Sequence, residues 1–119
     1  MKIIEPLLKL QNQLKVFHWQ TNSFAAHKAL GETYDSFNTL IDDFVEIYIG
    51  KYGRQINETV INFQITFDMS NLDGFIDSSI QYLVALTSDF NENTDTDLLN
   101  IRDEMLGALN KLKYLLTLK

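Results

Sequence analysis

A chain of 119 residues that is 45% hydrophobic and 22% charged is long enough to bury one core and too short for two, and its composition is that of a folded domain rather than a disordered tail. A formal net charge of -6 sets the average surface against nucleic-acid phosphates and anionic lipid, so neither nucleic acid nor membrane is expected as a partner. The absence of cysteine excludes a disulfide framework, a thiolate zinc site and a cysteine nucleophile; with no leader-like start at Met1-Lys2-Ile3-Ile4-Glu5-Pro6 and no membrane-length apolar run, the expected location is the cytoplasm.

From Pro6 onward Leu7, Leu10, Leu14 and Phe17 recur at intervals of three and four, which stacks them on one face of a helix. Proline suits the first turn, where its missing N–H has no bond to make. The pattern stops at Gln20-Thr21-Asn22-Ser23, a polar break whose serine is an N-cap candidate for the next helix. That second helix is expected to be the longest, because Leu30, Tyr34, Phe37, Ile41, Phe44, Val45 and Tyr48 keep one face apolar until Gly50 and Gly53 interrupt it.

Beyond it the period changes. Ile61, Phe63, Ile65 and Phe67 alternate with Asn62, Gln64 and Thr66, and a period of two in β-branched and aromatic residues predicts a short extended strand over 60–67. A lone strand has unpaired backbone groups, so it is expected either to lie along the helices or to pair with its copy in a second molecule. Helical spacing returns with Leu72, Phe75, Ile76, Ile80, Leu83, Val84 and Thr87 and stops at the polar run Asp89 to Asp95. It resumes behind a cap at Thr94, Asp95 or Thr96 with Leu98, Leu99, Ile101, Met105, Leu106, Leu109, Leu112 and Leu116. Four amphipathic helices with short outer connections and a long middle one predict an all-α, single-domain four-helix bundle over 1–119, its crossover lying between helices 2 and 3. Such a crossover permits ferritin-like topology.

The polar residues of the second helix gather on one flank. At roughly 100° per residue, with His27 as zero, the apolar stripe centres near about -50°, while Gly31, Asp42, Asp35 and Glu46 fall between about +40° and about +100°. Asp42 and Glu46 are one turn apart and can converge on one ion, but His27 lies roughly 22 Å earlier along the axis at ~1.5 Å rise per residue. One copy cannot close a site from His27 and Asp42. Two copies of this helix, packed antiparallel about a two-fold axis, can bring each histidine to the other's acidic pair. Imidazole nitrogen with carboxylate oxygens and no sulfur suits iron, manganese or zinc. The plainer alternatives are that Asp42, Asp43 and Glu46 form the solvated face of a long helix, and that His18, beside Trp19 at the end of the first, is a hydrogen-bonded cap.

Residues Leu10 to Gly53 resemble the first two helices of the Dps family of mini-ferritins, cytoplasmic four-helix proteins that oxidise and store iron at sites between subunits. His18-Trp19 matches the family's His-Trp pair, Phe24 and His27 match an aromatic and a second histidine, Tyr34 follows at the family's distance, and Asp42 and Glu46 stand at its Asp-x-x-x-Glu positions. The resemblance implies a ferritin-like bundle and a homo-oligomer built on at least a two-fold dimer. It also implies an iron site in which His18 and His27 of one subunit face Asp42 and Glu46 of its mate, Glu46 as the bridging carboxylate, with no catalytic residue beyond these ligands. Trp19 and Tyr34 are expected to pack rather than carry electrons. Three features depart from the family: the connection between the histidines is shorter, Gly31 stands where a ligating acid follows the second histidine, and the basic N-terminal tail of some members is missing while the crossover reads as a strand rather than a short helix. Small relatives of this kind in tailed bacteriophages are equally similar, and the alternative is a non-enzymatic helical interaction protein that has lost the ferroxidase centre.

Overall fold

Leu7, Leu10, Leu14 and Phe17 are each at most 2% exposed and form the inner face of α1 (Ile4–Gln20) in the computed structural model, which describes residues 3–57 and 59–119. Pro6 occupies the first turn, as its ring geometry requires. The Thr21 N–H donates to the Phe17 carbonyl at 3.1 Å and closes α1. Two residues later the Ser23 hydroxyl accepts from the Ala26 N–H at 3.2 Å and opens α2 (Phe24–Tyr52). A connection this short admits only an antiparallel hairpin, so the end of α1 and the beginning of α2 face each other.

α2 runs for 29 residues and buries Leu30, Phe37, Ile41 and Phe44. It passes through Gly50 and stops at Gly53, whose φ of +90° is open to glycine and strained for other residues. A 3₁₀ turn (Met69–Asn71) leads into α3 (Leu72–Ala85), and a second one (Leu86–Asp89) follows it before α4 (Thr96–Leu115). Asp95, predicted as one of three cap candidates, stands at the N-cap of α4, but its carboxylate serves other groups: both Tyr52 oxygen contacts (2.6 and 2.8 Å), the Asn91 N–H (2.9 Å) and Lys51 Nζ (3.1 Å).

These contacts fix the directions of the helices. Lys51 and Tyr52 at the end of α2 hold Asp95 and Asp97 at the start of α4, so α2 and α4 are antiparallel. Arg102 Nη1, early in α4, donates to the Leu83 carbonyl at 2.9 Å and to Thr87 Oγ1 at 2.7 Å, while Lys113, late in α4, meets Asp77 at 2.9 Å. That makes α3 and α4 antiparallel too. α2 and α3 therefore point the same way, and the chain between them must travel the length of the bundle. Phe17 against Phe75 (ring centroids 5.7 Å) and Phe44 against Phe90 (5.9 Å), both edge-to-face, tie the layers together.

The crossover corrects the expectation of a strand: among the described residues there is no strand, and 60–68 is irregular chain without a ladder. The alternation survives only as packing, with Ile61, Phe63 and Ile65 half-buried and Asn62 and Gln64 exposed. Phe67 breaks the pattern and is 62% exposed. What replaces strand pairing is one side chain. Gln13, 1% exposed on α1, accepts from the Thr66 N–H at 2.9 Å and donates to the Thr66 carbonyl at 2.8 Å, which reproduces both bonds a neighbouring strand would make. No helix among the described residues is long and apolar enough to cross a membrane.

Candidate metal centre

The tight α1–α2 hairpin sets His18, two residues before the end of α1, across from His27, in the first turn of α2. Their rings stack with centroids 3.9 Å apart and an angle of 16° between planes. His18 Nδ1 lies 2.7 Å from the His27 carbonyl oxygen, and His27 Nδ1 lies 2.8 Å from the His18 carbonyl oxygen. A carbonyl oxygen only accepts, so both Nδ1 atoms carry the hydrogen and the lone pair of each neutral ring sits on Nε2. Thus His18 does not cap its own helix. It and His27 hold each other in one tautomer, the arrangement in which a metal-ligating histidine donates its second nitrogen to a backbone carbonyl.

Gly31, one turn after His27, forms the floor of this pair. A Cβ at that position would come within 2.7 Å of His18 Cε1 and 2.9 Å of its Nδ1. Around the pair the surface is aromatic and open: Trp19 is 63% and Phe24 78% exposed, and the Phe24 ring centroid is 6.2 Å from that of His27. Tyr34 is half-buried against the core. Lys15 Nζ lies 4.4 Å from the centre of the Tyr34 ring and 5.5 Å from that of Trp19, so a cation stands beside both rings.

The acidic group lies at the other end of α2. Asp42, Asp43 and Glu46 are all exposed and offer carboxylate oxygens within 4.8 Å of one another. Asp42 raises the Glu46 carboxyl above its ordinary range, chiefly by sharing a hydrogen bond with it and then by its charge, with partial desolvation and the Asp43 charge adding to the effect. Asp42 also lines a groove of about 520 Å³ between α1 and α2, with Ile4, Leu8, Asn38 and Val45. Asp35 and Glu32 are exposed and belong to no cluster of potential ligands among the described residues.

The four residues singled out in the sequence therefore fall into two pairs: His18 with His27, and Asp42 with Glu46. Within one copy the pairs are not together, because a single straight α2 separates them. Sequence reasoning treated Asp43 only as surface, whereas its carboxylate joins the acidic group; its position next to Asp42 was the available sign. It also read Gly31 as a missing ligand and did not foresee the ring that rests on it.

Among the described residues the chain has four α-helices and no strand, with a reciprocal histidine pair at one end of the longest helix and a carboxylate group further along it, and that is the class these observations define. Residues 18–116 match a family of unknown function (DUF5856), and the chain belongs to that family. No curated protein and no solved structure matches it.

Proposed function

We propose that this protein is a Dps-like, ferritin-like bundle that binds iron, or a divalent ion of similar preference, at a site shared by two copies. The observation that carries the reading is the reciprocal histidine pair, in which both rings have Nδ1 committed to a carbonyl and Nε2 left as the coordinating atom. Antiparallel α1 and α2, parallel α2 and α3 and one long crossover are the connections of a ferritin-like bundle. In the proposed dimer, α2 helices run antiparallel, so that His18 and His27 of one copy face Asp42 and Glu46 of the other. Two imidazole nitrogens and two carboxylates are a donor set that fits one Fe(II), Mn(II) or Zn(II) ion.

Under this reading Fe(II) is the substrate: two Fe(II) ions, each losing one electron, together with two protons would reduce one hydrogen peroxide to two water molecules, or one dioxygen to hydrogen peroxide, and the carboxylates would stabilise the ferric product by charge. The exposed Trp19 and Phe24 beside the histidines supply apolar surface for the second copy to cover.

The test is metal content and Fe(II) oxidation of the purified protein beside His18→Ala/His27→Ala and Asp42→Ala/Glu46→Ala variants, with mass in solution measured on the same samples. Wild type is expected to be a dimer or a larger assembly of dimers and to take up iron that both variants fail to take up. A strict monomer, or equal iron in all three, refutes the shared site and leaves the alternative of a helical interaction protein without metal chemistry.

A further inference from the structure

We infer that Gly31 is a positioning residue: the absence of a side chain there seats the His18 ring in its ligand-ready tautomer and limits the site to one ion. The inference rests on the proposed metal site for its second half only. Gly31 lies inside α2, and Gly53 is the only described glycine with positive φ, so its backbone conformation does not call for glycine. What does is proximity. A Cβ would stand 2.7 Å from His18 Cε1, 2.9 Å from Nδ1 and 3.6 Å from Nε2, the first two well inside the ~3.5–4.0 Å of ordinary carbon contact.

The ring has no easy retreat. It is stacked on His27 at 3.9 Å, and its Nδ1 is held 2.7 Å from the His27 carbonyl, one helical turn before Gly31. Moving it clear of a Cβ breaks that hydrogen bond, the stack, or both. His18 then loses the restraint that keeps its hydrogen on Nδ1 and its lone pair on Nε2.

It follows that a carboxylate at position 31 and His18 in this seat exclude each other. Position 31 stands one turn after His27, at the histidine end of the proposed site, where an acid would add a carboxylate beside the two imidazoles and give a second ion an anchor. In this chain the imidazole occupies that volume, and the histidine end of the proposed site gains no carboxylate from α2 at this position.

The experiment is long-range ¹H–¹⁵N correlation NMR of the histidine rings in metal-free wild type, Gly31→Ala and Gly31→Asp, followed by calorimetric titration of each with Zn(II). Wild type is expected to show both rings as the Nδ1–H tautomer and to bind one ion per histidine pair. In Gly31→Ala the His18 signal is expected to move to a tautomer mixture while helical content is unchanged, with Zn(II) affinity down at least tenfold. Gly31→Asp is expected to do the same and to gain no second ion. A Gly31→Ala protein whose His18 keeps the wild-type tautomer overturns the seating, and a Gly31→Asp protein that binds two ions overturns the limit to one. If wild type binds no Zn(II), the metal site fails, while the tautomer comparison still decides the seating. Should Gly31→Ala fail to fold, the double variant Gly31→Ala/His18→Ala serves: removing the ring is expected to restore folding, and a double variant that also fails overturns the inference.

Discussion

Gln13→Leu removes the amide that pairs with the crossover and keeps the side-chain volume, so its cost reports the two hydrogen bonds rather than a cavity. Each such bond contributes about 1 kcal/mol net, and the Thr66 N–H and carbonyl, half-buried, lose partners that water replaces only in part. The expected loss is about 2–3 kcal/mol. Unfolding entropy of ~2.1 cal/mol/K per residue over 119 residues converts each kcal/mol into about 4 °C, so the melting temperature should fall by roughly 8–12 °C. Circular dichroism gives the melt, and hydrogen exchange at the Thr66 amide gives the local effect: protected in wild type, fast in the variant. Residues 54–57 and 59–65 make no backbone hydrogen bond among the described residues, so their amides should exchange quickly in both proteins. A variant that melts within about 2 °C of wild type with Thr66 still protected refutes the idea that Gln13 stands in for a strand.

Three further outcomes are expected. The Asp95 carboxyl is held below its ordinary value, first by the Tyr52 hydroxyl, then by the Asn91 N–H and by Lys51; a depressed folded value gives stability that is present above the unfolded pKa and is lost as pH falls through the folded one. Acid melts should therefore destabilise wild type from about pH 4 downward, and Asp95→Asn should be less stable at neutral pH with a flatter acid limb; parallel acid limbs would refute this role. Glu46 shows the opposite sign: its raised value means that the folded state disfavours the charged form, and stability is lost as pH rises through it. Glu46→Gln should accordingly melt above wild type at pH 7 without divalent metal; under the proposed site, added Zn(II) or Mn(II) should raise the melting temperature of wild type and not of the variant, and a variant still stabilised by metal would refute Glu46 as a ligand. Finally, under the proposed dimer, Trp19→Glu with Phe24→Glu should yield a monomer of unchanged helicity that takes up no metal, whereas a dimeric variant would place the interface elsewhere.

The helices were legible because their signals are local. Leu7, Leu10, Leu14 and Phe17 declare the buried face of α1 by spacing alone, and Ser23 and Gly53 mark the limits of α2 by what a hydroxyl and a missing Cβ do for backbone groups. The crossover misled because a period of two describes how side chains alternate, not whether a second strand is present to pair. Ile61, Phe63 and Ile65 face the bundle as the pattern demands, but the partner for Thr66 comes from an amide on a helix 53 positions earlier, which no local window contains. The same limit applied to the histidines. Nothing in their spacing of nine says that each ring will hold the other's carbonyl; that depends on how tightly Thr21 to Ser23 turn the chain. Asp95 likewise carried a cap signal but is engaged by Tyr52 and Lys51, 43 and 44 positions earlier, where tertiary partners outbid the local role.

One consequence of dividing the ligands in this way can be measured without knowing the oxidant. Each copy presents two nitrogens at one place and its carboxylates roughly 22 Å further along α2, at ~1.5 Å rise per residue, so neither half alone completes four-coordination. In the proposed dimer, ion binding and dimerisation are therefore linked equilibria, and each strengthens the other by the same factor. Zn(II) added to dilute protein should raise the dimer fraction, and dilution at fixed Zn(II) should release the ion. Sedimentation velocity across a concentration series, with and without Zn(II), reads both effects. Wild type should shift its monomer–dimer midpoint to lower protein concentration with metal, and Asp42→Ala/Glu46→Ala should show one midpoint under both conditions. If metal binds wild type with an affinity that does not change with protein concentration while the protein remains monomeric, the ligands all come from one copy and the two-body site is wrong.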